Sequence, residues 1–324
     1  MTRRVLTGIQ PTGTPHVGNL LGAIRPALAL ADSGLEAMYF IADYHALTSI
    51  HDRAKLAGFT REVAATWLAF GLDPDRVLFY RQSDIPEIFE LTWVLACHAS
   101  KSWLDKGHAF KAATAAGDEV NLGRYSYPLL MAADILAFDT DLVPVGKDQV
   151  QHIEITRDIA QRFNHEHGAE LLKLPNAVVD EGTAATVPGI DGRKMSKSYG
   201  NAIPLFAPAK QLRKIVGQII TDSTPPEAPK DPDSSLVHQI YRAVATPDEA
   251  RELADRLRAG IGWGDAKQVL FERLDRELAG PREHYAQLMA DPVAIDALLA
   301  AGAAKARPIA RATVDRVRKA IGID

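Results

Sequence analysis

The sequence predicts an α/β protein: a parallel sheet covered by helices over about the first 204 residues, then an all-helical region. Three observations carry this. Short apolar runs alternate with helical patterns, the helical stretches are long enough to serve as crossovers, and no strand-like run follows residue 204.

Val5-Leu6-Thr7, Met38 to Ala42 and Val77 to Tyr80 read as buried parallel strands. Between the last two, Leu56, Phe59, Val63, Trp67 and Phe70 share one helical face, which stops at Gly71. Leu142-Val143-Pro144-Val145 reads as a further strand, leading into a helix with Ile155, Ile159 and Phe163 in register. Pro26 lies in the first helical stretch; its ring opposes the Gly22 carbonyl and predicts a kink. Residues 208–222 read as a helix carrying Leu212, Ile215, Val216 and Ile219. A turn-rich run, Pro225 to Asp233, follows, and Ser234-Ser235 open the next helix. The expected division is 1–204 for the sheet-bearing part, with a helical insertion at about 84–140. A helical part at 205–290 follows, then closing helices at 291–324 that fold back on the first part.

At 324 residues, two domains are expected, and 47% hydrophobic with 24% charged residues suits a buried core. No run approaches the ~18 apolar residues of a membrane span, and the start lacks a signal-peptide pattern. Cys97 is the single cysteine, so internal disulfides and Cys-x-x-Cys metal sites are out; a buried thiol in a reducing cytosol is the expectation. The net charge of −4 leaves nucleic-acid contact to local patches. Lys305, Arg307, Arg311, Arg316, Arg318 and Lys319 form the best candidate patch, although a solvated helix face accounts for them more simply.

Two loops carry chemistry. Thr7 to Asn19 leaves the first strand through Gln10-Pro11-Thr12 and enters a helix near Val17. A helix mouth offers free N–H groups and a positive dipole end to an anion. Gly18 would let adenine or ribose lie on bare backbone, and His16 at the mouth could donate to a phosphoryl oxygen. Taken alone, an ordinary strand–turn–helix explains this stretch. The second loop, Asp191 to Gly200, sets Lys194 and Lys197 around Met195-Ser196, where both can reach one polyphosphate. Alone, it is a solvated basic loop. Together, His16-Val17-Gly18-Asn19 and Lys194-Met195-Ser196-Lys197-Ser198 resemble the HIGH and KMSKS motifs of class I aminoacyl-tRNA synthetases, in the expected order. The first part of the chain is then expected to be Rossmann-like.

Tyr127 to Ile135, Asp43-Tyr44-His45-Ala46 and Val143 to Glu154 further resemble the tryptophanyl-tRNA synthetases, and the likeness runs from Thr7 to about Gly322. Tryptophan's side chain has one polar group, an N–H donor. Asp134, set among Met131, Ala132, Ala133 and Ile135, is a carboxylate that needs a donor there. Capping of a neighbouring element or pairing with an arginine would also satisfy it. The resemblance implies that Tyr127 and Gln149 hold the substrate ammonium, that His45 and Met131 line the pocket, and that Gln10 bridges tryptophan and ATP. It puts Gly146, Lys147 and Asp148 near the ribose. Pro11, Thr12, Gly18, Asn19, Val187 and residues Lys194 to Ser198 would surround ATP, and Lys111 would join His16, Lys194 and Lys197 in charge stabilisation. Three positions depart from the family pattern: Leu6 where an aromatic is common, Lys147 where an acid is common, and Ala113 where a second lysine is common.

The implied activity is formation of tryptophanyl-adenylate from L-tryptophan and ATP, with Mg²⁺ bridging phosphates, then transfer to tRNA(Trp). The helical part after residue 204 would bind the anticodon stem. A cytoplasmic homodimer, with its interface in the middle of the chain and no structural metal, is also implied. The competing readings are a tyrosyl-tRNA synthetase, a synthetase-like RNA- or nucleotide-binding protein without charging activity, and a small-molecule nucleotidyltransferase.

Overall fold

The computed structural model describes residues 3–105, 120–179 and 187–323. Its centre is a parallel sheet of β1 (Arg4–Ile9), β2 (Glu36–Ile41), β3 (Leu78–Arg81), β4 (Leu142–Val145) and β5 (Asn176–Val179), in the order β3-β2-β1-β4-β5. β2 pairs with β1 in register from Arg4↔Glu36 to Ile9↔Ile41. Successive side chains on a strand point to opposite faces. Val5, Tyr39 and Ile41 therefore join Trp67 and Phe79 in one core, while Leu6, Met38 and Phe40 join Tyr80 and Phe138 in the other. β5 lies outside the sequence expectation. It is a four-residue edge strand directly after Pro175, too short and exposed to give a buried run.

The strand order runs outward in both directions from β1 and β4. In open parallel sheets such a reversal leaves a crevice beyond the carboxyl ends of the strands. The loops after Ile9 and Val145 flank that crevice, and these are two of the segments singled out in the sequence.

The helices are α1 (Val17–Asn19), α2 (Arg25–Ala31), α3 (Asp43–Ala46), α4 (Arg53–Ala69), α5 (Glu87–His98), α6 (Lys101–Asp105), α7 (Leu122–Leu136) and α8 (Val150–Glu166). After the sheet come α9 (Ala209–Gly217), α10 (Leu236–Val244), α11 (Pro247–Arg258), α12 (Trp263–Ala290) and α13 (Pro292–Ile321). Pro26 acts as expected but through a defined device: a π-helical turn, Leu20–Ile24, absorbs the lost hydrogen bond between α1 and α2.

α13 returns to the sheet and lies on β3 and α5. A β-carbon built on Gly302 would stand 1.8 Å from the Phe79 carbonyl oxygen, so the helix backbone rests directly on the strand. The basic residues of this segment are mostly engaged within the chain. Arg307 pairs with the buried Glu87 at 2.9 Å, Arg316 with Asp139 at 2.7 Å and Arg318 with Glu90 at 2.6 Å. Arg311 pairs with Asp315 along the helix at 3.1 Å. The segment is therefore a docking face more than a nucleic-acid patch.

Cys97 corrects an expectation: its thiol is exposed. α5 turns Leu91, Val94 and Leu95 inward, which leaves Trp93, 73% exposed, and Cys97 one turn later on the outer face. Among the described residues, no single helix is long and apolar enough to cross a membrane.

Candidate active site

The β1–α1 loop forms one wall. His16, at the N-cap of α1, is 8% exposed, and its backbone N–H donates to Asn19 Oδ1 at 3.0 Å. Asn19 thus ties down the helix mouth. The His16 Nδ1 atom is buried with no hydrogen-bond partner among the described residues. Burial, and then the nearby Lys197 charge, pushes the imidazole down to about 4. At neutral pH it is an uncharged ring able to donate one N–H. Gly18 lies against this ring: a β-carbon there would stand 3.0 Å from both Cε1 and Nδ1 of His16. Pro11 is buried and Thr12 is exposed, its N–H donating to the Gln10 carbonyl at 3.0 Å.

The basic loop closes on the same mouth. The Gly18 N–H donates to Met195 Sδ at 3.3 Å, and Met195 is buried. The Met195 N–H in turn donates to the Val187 carbonyl at 3.0 Å. Asn201, 2% exposed, holds the loop shut: it accepts from the Ser196 N–H at 2.8 Å and donates to the Lys194 carbonyl at 3.1 Å and to Asp191 at 2.7 Å. Ser196 and Ser198 share a hydroxyl hydrogen bond of 2.8 Å. The Lys194 side chain is exposed. Lys197 reaches back to Gly13, where a β-carbon would meet its Nζ at 3.3 Å, and burial pushes its ammonium below the ordinary range, with Glu62 opposing.

The third wall is α7. Tyr127, Met131 and Asp134 recur at intervals of four and three residues and so share one helical face. Asp134 is 2% exposed and its carboxylate is well partnered. His45 Nε2 lies 2.8 Å from Oδ2, and the Gln82 side-chain amide donates to Oδ1 at 2.8 Å and to Oδ2 at 2.9 Å. Burial raises the Asp134 pKa, and the bonds from His45 and Gln82 pull it back. The arginine partner weighed in the sequence is not among these contacts. The Tyr127 hydroxyl bonds to His152 Nε2, and its ring stands 6.2 Å from that of His45. Gln10 links the walls: its side-chain N–H donates to the His45 carbonyl at 2.9 Å.

Beyond β4, Gly146 opens a 3-10 turn, Lys147–Gln149, closed by the Gln149 N–H donating to the Gly146 carbonyl at 2.9 Å. Gly146 and Lys147 are exposed, and Asp148 lies in that turn. Lys111 and Ala113 lie outside the described residues. Leu6 is buried in the core with Met38, Tyr80 and Ile135. A cavity of about 420 Å³ opens near Asp43, His51, Arg61, Arg81 and Asp296; its lining includes neither His16 nor Asp134, so it is separate from the crevice.

Gln82 and Asn201 belong to the site although nothing in the sequence singled them out. Both are polar, buried and bonded through their side chains. Gln82 follows the end of β3, on the sheet edge where ligands gather, and that position is the one signal that could have exposed it.

A helix mouth met by a lysine-bearing loop, beside a buried helix carboxylate over a parallel sheet, is the construction of a class I synthetase. The chain belongs to the family of class I tRNA synthetases (W and Y), whose model matches residues 2–279. It is 52% identical to the tryptophan–tRNA ligase of Pseudomonas putida, over the whole of this chain and 74% of that one. The counterpart in Xanthomonas axonopodis pv. citri is 53% identical over the whole of this chain and 77% of its own. Among solved structures, the tryptophanyl-tRNA synthetase of Campylobacter jejuni complexed with ADP and tryptophan superposes with a TM-score of 0.92 at 42% identity, covering 98% of this chain and 99% of that one. A tyrosyl-tRNA synthetase from Archaeoglobus fulgidus complexed with L-tyrosine shares the fold, with a TM-score of 0.67 at 19% identity over 88% of this chain and 90% of that one.

Proposed function

We propose that this chain activates L-tryptophan with ATP, releasing pyrophosphate, and passes the tryptophanyl group to tRNA(Trp): the activity of a tryptophan–tRNA ligase. The observation that carries the reading is the linkage Gln10–His45–Asp134, which couples the nucleotide loop to a buried carboxylate suited to an indole N–H. The full-length likeness to bacterial tryptophan–tRNA ligases supports it.

The tryptophan carboxylate attacks the α-phosphorus of ATP; the bond to the β-phosphate oxygen breaks and pyrophosphate leaves. A carboxylate is already a nucleophile at neutral pH, so the enzyme's task is positioning and charge stabilisation. Neutral His16 donates to a phosphoryl oxygen, while Lys194 and Lys197, with Lys111, take the growing charge of the leaving group. Gln10, Pro11, Thr12, Gly18, Asn19, Gly146, Lys147, Asp148, Val187 and Met195 to Ser198 enclose ATP. Mg²⁺ would travel with the nucleotide, its ligands supplied mainly by phosphate and water. Tyr127 and Gln149 receive the ammonium group, and His45 and Met131 flank the indole. In the second step a terminal ribose hydroxyl of the tRNA attacks the adenylate carbonyl carbon and AMP leaves.

The helices over 205–290 bind the anticodon stem, with the boundary near residue 204. The protein works in the cytoplasm as a homodimer with its interface in the middle of the chain, where exposed Trp93 and Leu122 offer apolar contact area. The deciding experiment is amino-acid-dependent ATP–pyrophosphate exchange with tryptophan and tyrosine in parallel. Exchange with tryptophan at least about a hundredfold above that with tyrosine, on the order of discrimination a polar contact supports, is expected. Equal exchange, or exchange with tyrosine alone, overturns the reading.

A further inference from the structure

Gln82 stands at the centre of the amino-acid pocket's polar network. Its side chain is fully buried in the 3-10 turn that follows β3. The Tyr44 N–H donates to Gln82 Oε1 at 3.1 Å, which settles the amide's orientation. Nε2 is therefore the atom turned to Asp134, and it donates to Oδ1 at 2.8 Å and Oδ2 at 2.9 Å. α3 is pinned to the same turn a second time, by Asp43 accepting from the Ser83 N–H at 3.0 Å.

An ionised carboxylate has about four acceptor positions, two on each oxygen. Oδ2 of Asp134 faces both His45 and Gln82, so its two positions are taken. Among the described residues Oδ1 faces Gln82 alone, so one position stays open. We propose that Gln82 is a positioning residue that fixes the Asp134 carboxylate as an acceptor with a single open place, on Oδ1, for the substrate indole N–H. This rests on the proposed activation of tryptophan and adds the residue that orients its acceptor. Without the amide, a carboxylate this deeply buried would keep only the His45 contact on Oδ2, and would turn or take up a proton. Either change removes the acceptor from the place where the indole proton arrives.

The test uses pyrophosphate exchange on the full-length enzyme, with tryptophan and with its benzothiophene analogue, which has sulfur in place of the indole N–H. The wild-type arm with tryptophan tests the activity itself, so its failure is recognised separately. In Gln82→Met, kcat/KM for tryptophan should fall about tenfold to a hundredfold, the worth of a hydrogen bond to a charged group. The analogue's kcat/KM and the KM for ATP should change little, so the preference for tryptophan narrows. In the isosteric Gln82→Glu, activity toward tryptophan should recover as the pH falls, because the introduced carboxyl, once protonated, regains a donor toward Asp134. An unchanged preference in Gln82→Met, an equal loss for both amino acids, or a pH profile in Gln82→Glu that matches wild type would each overturn the proposal. Failure of both variants to fold would assign Gln82 to core stability and overturn it as well.

Discussion

The backbone N–H of Gly18 points at the sulfur of Met195, 3.3 Å away, so the β1–α1 loop and the lysine loop, 177 residues apart, touch directly. A β-carbon at position 18 would crowd the His16 ring at 3.0 Å, so any larger residue must push that ring aside. Substitution of Gly18 by Ala should displace the imidazole and loosen the loop contact. Pyrophosphate exchange is expected to fall about 10- to 100-fold from misplacement alone, with tryptophan affinity and thermal stability nearly unchanged. Exchange kinetics beside a melting curve check it; wild-type exchange would mean that the ring contact has no catalytic consequence.

Lys197→Ala addresses the leaving-group charge. Its ammonium lies against Gly13 in the β1–α1 loop, where a β-carbon would meet Nζ at 3.3 Å. Exchange should collapse by about 100-fold or more, the size of effect seen when one transition-state donor is removed. Equilibrium tryptophan binding, measured by calorimetry, should barely move. A matching loss of binding would assign the lysine to ground-state structure.

His16 predicts a pH dependence of stability. Its imidazole titrates at about 4 in the fold against 6.5 when exposed, because burial and Lys197 disfavour the cation. Between these values the unfolded chain holds the extra proton, so stability falls as the pH drops from 6.5 to 4 and then levels off in this group's contribution. At about 1.36 kcal/mol per unit the contribution reaches at most about 3 kcal/mol. Urea midpoints measured through this range should show wild type losing stability relative to His16→Gln as the pH falls. Parallel curves would show that the ring titrates normally.

Gly302→Ala tests the docking of α13. The new methyl group would enter the Phe79 carbonyl, so helix and strand must part. A loss of about 1–3 kcal/mol or more is expected from overpacking, read as a lowered denaturation midpoint. Because β3 leads into Gln82, exchange activity should fall with it. An unchanged midpoint would mean that the helix shifts without strain.

Much of this protein was legible in its sequence. β1 to β4 produced apolar runs because strands covered on both faces need them. Tyr127, Met131 and Asp134 fall on one face because the helical period requires it. Gln82 and Asn201 were not legible, since a buried amide looks like a surface amide until its partners are known. Cys97 was misread because the apolar stretch around it belongs to a helix with one side outward. The arginines of α13 looked like a solvated face because their partners Glu87, Glu90 and Asp139 lie 220, 228 and 177 residues away.

Local periodicity and loop composition therefore determined the parallel sheet, the helix mouth at His16 and the lysine loop, because those signals lie within a few residues of one another. Only the tertiary structure decided how Asp134 is partnered, which of its oxygens carries fewer donors, and where the terminal helix rests. Those outcomes depend on distances between segments that the chain brings together only when it folds.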